Sequence, residues 1–447
     1  MTALPSVFLP RSYVPAAAQL PANRRVFLLL QGPHGPFFDR LGGLLRAAGA
    51  RVWRVGFNAG DEFFWRDRAS YIPHSGGPES WPDHLDRLID DKGVTDIVLY
   101  GDVRPIHAAA RAAAARRGIV LHVFEEGYLR PFWITYERGG SNGFSPLMDI
   151  PLDHMRAAHR GFGAEIRRPP ASWGDMRQHK FYGALYHSLV LISNARYPGF
   201  APHRDITLAR EFRLNLRRFL LSPVDAVRRW RQDRAISAGG FPYVLVLMQL
   251  EHDSSFRAHS PYRTMSEFTA EVLAAFARAA PRHHHIVFKA HPLEDGRAGL
   301  AQVIREQSLA AGLDGRVHLV QGGKLAGLLS QARAAVTINS TSAQQALWRG
   351  LPVKAMGQAV YAKPGLVSDK SLDDFLRDPD PPDLRSYRDY RNYLMDTCQV
   401  PGGFYATGSR AHALRLVVDM MLSPDDPYAA LESGRATNRQ QMEHDDR

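Results

Sequence analysis

RVFLLLQGPHGPFFDRLGGLLRAAGARVWRV, residues 25–55, decides the fold class. Val26 to Leu30 is an unbroken apolar run, with the length and content of a parallel strand buried on both faces. Gln31 to Pro36 supplies a turn built on glycine and proline, and a helix follows from Phe37 to Ala48. Gly49 stands where a left-handed cap closes a helix, and Arg51 to Phe57 reads as a second strand. Strand, helix and strand in this order make a βαβ unit, whose right-handed crossover builds parallel sheet.

The alternation continues downstream. Asp96 to Tyr100 reads as a strand, Pro105 to Arg117 as a helix and Ile119 to Phe124 as another strand. Glu125 to Pro151 reads as irregular, and a polar region extends to Pro198. A second alternating region opens at Phe241 with the strand in YVLVLMQL. Strands His285 to Lys289, Val317 to Val320, Ala335 to Asn339 and Pro352 to Met356 then alternate with helices Met265 to Ala279, Gly299 to Ala311, Leu325 to Gln331 and Ser342 to Arg349. A chain of 447 residues suits two domains of roughly 200 residues each. The expectation is an α/β protein of two Rossmann-like domains facing an interdomain cleft. The first spans 1–238 and includes a basic helical segment, 205–235; the second spans 239–424, its last helices free to pack back on the first; 425–447 is a polar, flexible tail.

Composition bounds the function. The chain carries 45% hydrophobic and 23% charged residues, the range of a globular protein. No apolar run of spanning length occurs, and the proline-interrupted first 25 residues do not read as a signal peptide. A single cysteine, Cys398, excludes an internal disulfide and fits a reducing cytoplasm. The net charge of +11 suits nucleic acid, an anionic membrane surface or small anionic substrates, and arginine-favouring codon usage accounts for it equally well.

Open α/β sheets bind ligands outside the carboxyl ends of their strands, so polar groups there carry the functional reading. Glu125 and Glu126 follow directly on a buried strand and precede Gly127; a carboxylate in that place acts as base or nucleophile, or else lies in a solvated loop paired with Arg130. Lys289, His291 and Pro292 end the strand HIVFK, where lysine and histidine donate to phosphate oxygens. Asn339, Ser340, Thr341 and Ser342 join a strand to a helix, a place for anion binding and equally for ordinary N-capping. Gln249 and Asp253 follow the strand YVLVLM. The first turn, Gln31 to Pro36, with Asn58 and Asp61 after the next strand, lacks both G-x-G-x-x-G and the Walker A pattern, which leaves NAD and ATP hydrolysis without support. His283, His284 and His285 are consecutive, cannot easily converge on one ion and have no carboxylate cluster at ligand spacing beside them, so no metal site is expected. Together these groups imply an enzyme handling an anionic, phosphate-bearing ligand.

The set QGPHGPFF, YGDVRPIH, FEEGYLRPFWITYERGGSNG, MQLEHDSS, KAHP, INSTSAQQALWRGLPVKAMG and PGGFY, spread over residues 25 to 405, resembles the capsule polysaccharide biosynthesis and export family of KpsS type. The resemblance implies a GT-B fold and a retaining β-Kdo transferase that uses CMP-Kdo as donor substrate, needs no cofactor or metal, and acts on a lysophosphatidylglycerol-type lipid acceptor. It implies Glu126 as nucleophile, with Glu125 as the alternative, although the second acidic position is often aspartate in such enzymes. His291 and Pro292 then contact the donor nucleotide, Lys289 and residues Asn339, Ser340, Thr341 and Ser342 its phosphate or sugar carboxylate, and Gln249 and Asp253 sit beside it. Gln31, Gly32, His34, Gly35, Asp102, Arg104 and Arg130 fall on the acceptor side. Glu126 and His291 are expected to grip one small molecule from opposite sides. Phe212, Leu216, Phe219 and Leu220 share a helical face ringed by Arg210, Arg213, Arg217 and Arg218, which suits the inner face of an anionic inner membrane or packing on the domain. Capsule assembly or export machinery is a further partner. The alternatives are a non-catalytic assembly or export factor and a GT-B transferase for another nucleotide sugar, such as CMP-sialic acid. Nucleic acid is not expected, because the arginines are dispersed and no stacking platform accompanies them.

Overall fold

The structure, a computed structural model, describes residues 15–131, 133–158, 176–200, 227, 230–232, 234–294, 296, 299–322 and 324–433. Among these the strands are β1 (Val26–Leu29), β2 (Arg51–Gly56), β3 (Tyr71–Pro73), β4 (Asp96–Tyr100), β5 (Val120–Glu126), β6 (Trp133–Arg138), β7 (Tyr243–Leu247), β8 (His285–Ala290), β9 (Val317–Gln321), β10 (Ala334–Thr337), β11 (Val353–Ala355) and β12 (Gln399–Pro401). They form two sheets in two compact units, one of residues 1–203 and 389–447, the other of residues 204–388.

In the first unit the order is β12-β6-β5-β4-β1-β2-β3. The β3 to β5 block is parallel throughout, whereas β6 and β12 run antiparallel to their neighbours. Alternate side chains of β1 feed opposite faces. Phe27 and Leu29 join the cluster of Phe37, Leu41 and Leu45, while Leu28 and Leu30 join Trp81, Leu85 and Ile97. The second unit is wholly parallel in the order β11-β10-β7-β8-β9. Both orders reverse beside the first strand, between β1 and β4 and between β7 and β10, and such a reversal opens a crevice for ligand in a Rossmann sheet.

Three expectations need correction. The stretch 125–151 is not irregular: β5 runs on to Glu126, and Trp133–Arg138 returns beside it as β6. Its residues are buried along their whole length, because Ile134 and Tyr136 pack in the cluster of Val417 and Met421 on one face while Glu137 lies against Tyr128 and Tyr428 on the other, so the alternation that marks a half-exposed antiparallel strand is missing. The second unit stops at 388, short of 424, and from 389 the last helices belong to the first unit, as the expectation allowed. The helix Thr407–Leu422 there buries Ala413, Leu414, Leu416, Val417 and Met421 against the helix Phe37–Ala47 and β1. Nor is residue 425 onward all loose tail: Pro427–Glu432 is helical, with Tyr428 buried. Arg210, Phe212, Arg213, Leu216, Arg217, Arg218, Phe219 and Leu220 lie outside the described residues.

Two buried arginines tie that C-terminal helix to the sheet. Arg138 donates to the carbonyls of Met420 and Ser423, each at 2.7 Å, and Arg25 donates to that of Met421 at 2.7 Å. They satisfy carbonyls that a helix end leaves open. Arg25 also pairs with Asp96, which accepts a 2.8 Å bond from His122. Burial alone would raise the Asp96 carboxyl, but His122 and Arg25 outweigh it and hold it below the usual range.

Candidate functional site

In the first unit, polar side chains collect at the carboxyl ends of β1, β2, β4 and β5. Gln31, two residues past the end of β1, is buried; its amide nitrogen donates to Tyr186 Oη at 3.1 Å, and its carbonyl accepts from Arg104 at 2.8 Å. Arg104 follows β4, so this bond spans the β1/β4 reversal. Behind it Arg54 pairs with Asp61 at 3.1 Å, and Asn58 donates to Tyr186 at 2.7 Å while its own carbonyl caps Asp61. This network pins the helix Met176–Ser193 to the sheet.

The glycines of the first turn have packing reasons. A Cβ on Gly32 would strike Phe38, and Gly35, at φ +103°, lies against Tyr182. His34 stacks on Tyr186 at 4.4 Å. Asp102 is fully buried, accepts from Ser141 N at 2.8 Å, and burial raises its carboxyl above the ordinary range. It braces the turn after β6. Arg130 is exposed and donates to Gly127 O at 3.2 Å.

Glu125 and Glu126 are the last residues of β5, both half-buried. The Glu125 carboxylate accepts from Glu126 N at 2.9 Å. The Glu126 carboxylate accepts from Tyr100 Oη at 3.1 Å. Tyr100 is bonded in turn to Tyr405, which stacks on His179 at 4.1 Å. Burial first, then the charges of Glu126 and Glu125, push both phenols far above their ordinary range. They therefore stay protonated at every physiological pH, and Tyr100 stays a donor to Glu126. Neither tyrosine stands among the expected site residues. The signal was present, since Tyr100 opens YGDVRPIH and Tyr405 closes PGGFY, but only folding places residue 405 beside residue 100.

The second unit repeats the arrangement. Gln249, after β7, donates to Asn339 Oδ1 at 2.7 Å and accepts from Asn339 N at 3.1 Å, a two-bond bridge across the β7/β10 reversal. Asn339 also donates to His259 O at 3.3 Å. Ser340 and Ser342 share a 2.6 Å hydroxyl contact, and Tyr361 donates to Ser340 O at 2.8 Å. Thr341 is half-buried, and the helix that follows, Ala343–Trp348, has less than two turns. Lys289 is buried at the end of β8, its ammonium 3.3 Å from Ala290 O. His291 accepts from Leu293 N at 3.1 Å, Pro292 is exposed beside it, and Asp253 precedes the helix Ser254–His259. Gln249, Lys289, His291 and residues 339–342 thus share one sheet edge: Leu247 is in register with both Lys289 and Thr337. His285 instead turns to His318 at 2.9 Å, at the start of β8.

Two Rossmann-ordered units with polar groups gathered at their strand reversals give this chain the make-up of the GT-B class. It belongs to the family of capsule polysaccharide biosynthesis proteins, which is matched over residues 95–405. Among relatives, the capsule polysaccharide export protein KpsS of Escherichia coli is 32% identical over 385 residues, 85% of this chain and 96% of that one. The capsule polysaccharide modification protein LipB of Neisseria meningitidis serogroup B is 31% identical over 389 residues, 85% and 91% of the two chains. A solved structure described as the beta Kdo 2,7 transferase of Thermosulfurimonas dismutans KpsC covers 89% of this chain and 99% of its own at 14% identity, with a TM-score of 0.42. No helix among the described residues is long and apolar enough to cross a membrane.

Proposed function

We propose that the protein is a retaining glycosyltransferase that moves β-Kdo from CMP-Kdo to a lysophosphatidylglycerol-type lipid in capsule linker synthesis. The observation that carries this reading is the Glu126 carboxylate at the end of β5, half-buried and hydrogen-bonded by the Tyr100 hydroxyl at 3.1 Å. Glu126 attacks the anomeric carbon, and the bond to the CMP phosphate breaks with its electron pair on phosphate. The acceptor hydroxyl then displaces the carboxylate, giving up its proton to solvent. Two inversions give retention, and one hard displacement becomes two easier ones. Lys289, His291 and the hydroxyls of Ser340, Thr341 and Ser342 balance charge on the departing phosphate, while Gln249 and Asp253 line the donor. Glu126 and His291 belong to different units, and the scheme requires both to engage one donor molecule. Membership of the capsule family and the strand-end polar groups support the reading; CMP-Kdo as donor and the lipid as acceptor come from the motif resemblance.

A lipid acceptor puts the working enzyme on the inner face of the inner membrane, as a peripheral partner of anionic lipid and of capsule assembly machinery. Vesicle flotation checks this, and binding that does not change with anionic lipid removes it. The printed name of the Escherichia coli relative favours a second reading, a non-catalytic export factor. One assay separates the two. Purified protein is incubated with CMP-Kdo and fluorescent lysophosphatidylglycerol, and the product is weighed by mass spectrometry. A gain of one Kdo, lost in Glu126→Gln by at least about a thousandfold, supports the transferase. No gain with an intact chain supports the export factor, and near wild-type turnover by Glu126→Gln removes the nucleophile.

A further inference from the structure

Glu137, on β6, is a fully buried carboxyl that the proposed reaction does not use. Donors from three other segments of the first unit converge on it. Tyr128 Oη, from the connection between β5 and β6, donates to its Oε2 at 2.7 Å. Tyr428 Oη, from the helix Pro427–Glu432, donates to its Oε1 at 2.6 Å, and Ser145 Oγ, from the turn after β6, donates to the same oxygen. Asp102, after β4, and Cys398, before β12, are further titratable neighbours, both raised by burial.

Tyr128 stands two residues past Glu126, in a connection anchored at three points. Glu126 O accepts from Thr135 Oγ1 at 3.1 Å, Leu129 N donates to Gln399 at 3.1 Å, and Tyr128 reaches Glu137. Thr135 and Gln399 do not titrate, and burial keeps the Tyr128 phenol far above its ordinary range. Burial also pushes the Glu137 carboxyl up to about 7 against the pull of its three donors, so it alone among these anchors changes charge near neutrality. With Tyr128 on Oε2, and Ser145 and Tyr428 on Oε1, a proton on either oxygen meets a donor. One bond must then reverse or lengthen.

We infer that Glu137 is a positioning residue for Glu126, acting through Tyr128 and the β5–β6 connection, and that its charged form holds the nucleophile in place. The inference rests on Glu126 as the nucleophile. Charge-assisted hydrogen bonds are roughly twice as strong as neutral ones, so the connection is held more firmly above the Glu137 midpoint than below it. In the wild type, kcat should therefore rise about fivefold between about pH 6 and 8, with KM unchanged.

Two readouts on the full chain test this. In the first, tyrosine Cζ is isotope-labelled and followed by NMR against pH, with the Tyr100, Tyr128 and Tyr428 signals assigned from their phenylalanine variants. Tyr128 and Tyr428 should shift with a midpoint of about 7. Tyr100 should follow with the same midpoint, because it bonds Glu126, and Glu137→Gln should hold all three flat. A Tyr100 signal that ignores this titration overturns the inference, and so does one that keeps its midpoint in Glu137→Gln. In the second, Kdo transfer is timed at both ends of the pH range. Glu137→Gln should show the low kcat of the acidic wild type at both ends, and a variant that keeps the fivefold rise overturns the inference. Should Glu137→Gln not fold, Tyr428→Phe decides. Loss of one donor should raise the common midpoint of Tyr100 and Tyr128, and an unmoved midpoint again overturns the inference. Absence of transfer by the wild type ends the proposed reaction, while the NMR titration still decides whether Glu137 governs the surroundings of Glu126.

Discussion

Tyr100 is the residue on which the candidate chemistry turns, because its half-buried hydroxyl is the group bonded to Glu126. A hydrogen bond to a charged group contributes about 1.5–3 kcal/mol, so Tyr100→Phe should lower kcat roughly ten- to hundredfold with little change in melting temperature. Unchanged CMP release by the variant would detach Tyr100 from catalysis. Two other buried residues give opposing pH effects. Burial pushes the Glu137 carboxyl up to about 7, although Tyr128 and Tyr428 donate to it at 2.7 and 2.6 Å and Ser145 adds a third bond. Burial lowers His122 to about 4. Between the unfolded value near 4.5 and 7 the native state holds the Glu137 proton that the unfolded chain has released, so its contribution is lost as pH rises. His122 does the opposite: between about 4 and 6.5 the unfolded chain binds the proton that the native state refuses, and stability rises with pH. Glu137→Gln should therefore steepen the rise of the urea midpoint with pH between 4.5 and 7, and a parallel pair of curves would contradict the Glu137 shift.

At the scale of elements, the β5–β6 hairpin and the β7/β10 bridge hold the candidate groups in place. Gly127 follows Glu126, and a Cβ on it would collide with the carbonyl of Trp133 on the returning strand. The obstacle is backbone, so it cannot rotate away. Gly127→Ala should cost about 1–3 kcal/mol and displace Glu126, so that activity falls along with the melting temperature; full activity would show the hairpin to be tolerant. In the second unit, Asn339→Ala removes the bond that the Gln249 amide donates to Asn339 Oδ1, leaving that N–H without this partner, and keeps the one from the residue 339 backbone N–H. About 1–3 kcal/mol of pre-organisation is at stake, so calorimetry should find CMP bound roughly tenfold more weakly. An unchanged Kd would remove the β7/β10 gap from the donor site. The βα alternation of this unit was legible because its strands are short apolar runs punctuated by Gly, Pro, Ser and Asn. β6 and β12 were not legible: one is buried on both sides without alternation, and the other is three residues long.

At the scale of the whole molecule, the first unit is closed by residues nearly 400 positions from its first strand: Arg25 on one end bonds Met421 on the other. Leu414, Leu416, Val417 and Met421 each bury a side chain in the cluster around Phe37. At about 1.5–3 kcal/mol apiece they contribute as much as the net stability of a typical domain, about 5–15 kcal/mol. Ending the chain at residue 388 should leave the first unit unfolded, read as loss of soluble expression and of its urea transition. A soluble, cooperatively unfolding fragment would show that β12 and the C-terminal helices are dispensable.

Local pattern was enough for the two Rossmann-like regions, for the carboxylates after Phe124 and for the polar groups after Met248 and Ile338, since period, length and turn chemistry are properties of neighbouring residues. The pairing of β6 with β12, the residue at which the chain returns to its first unit and the meeting of Tyr100 with Tyr405 came only with the tertiary structure. Those contacts join segments hundreds of positions apart. Nothing in the sequence near either partner encodes them, and it is the burial of apolar surface on both sides of the first sheet that selects them.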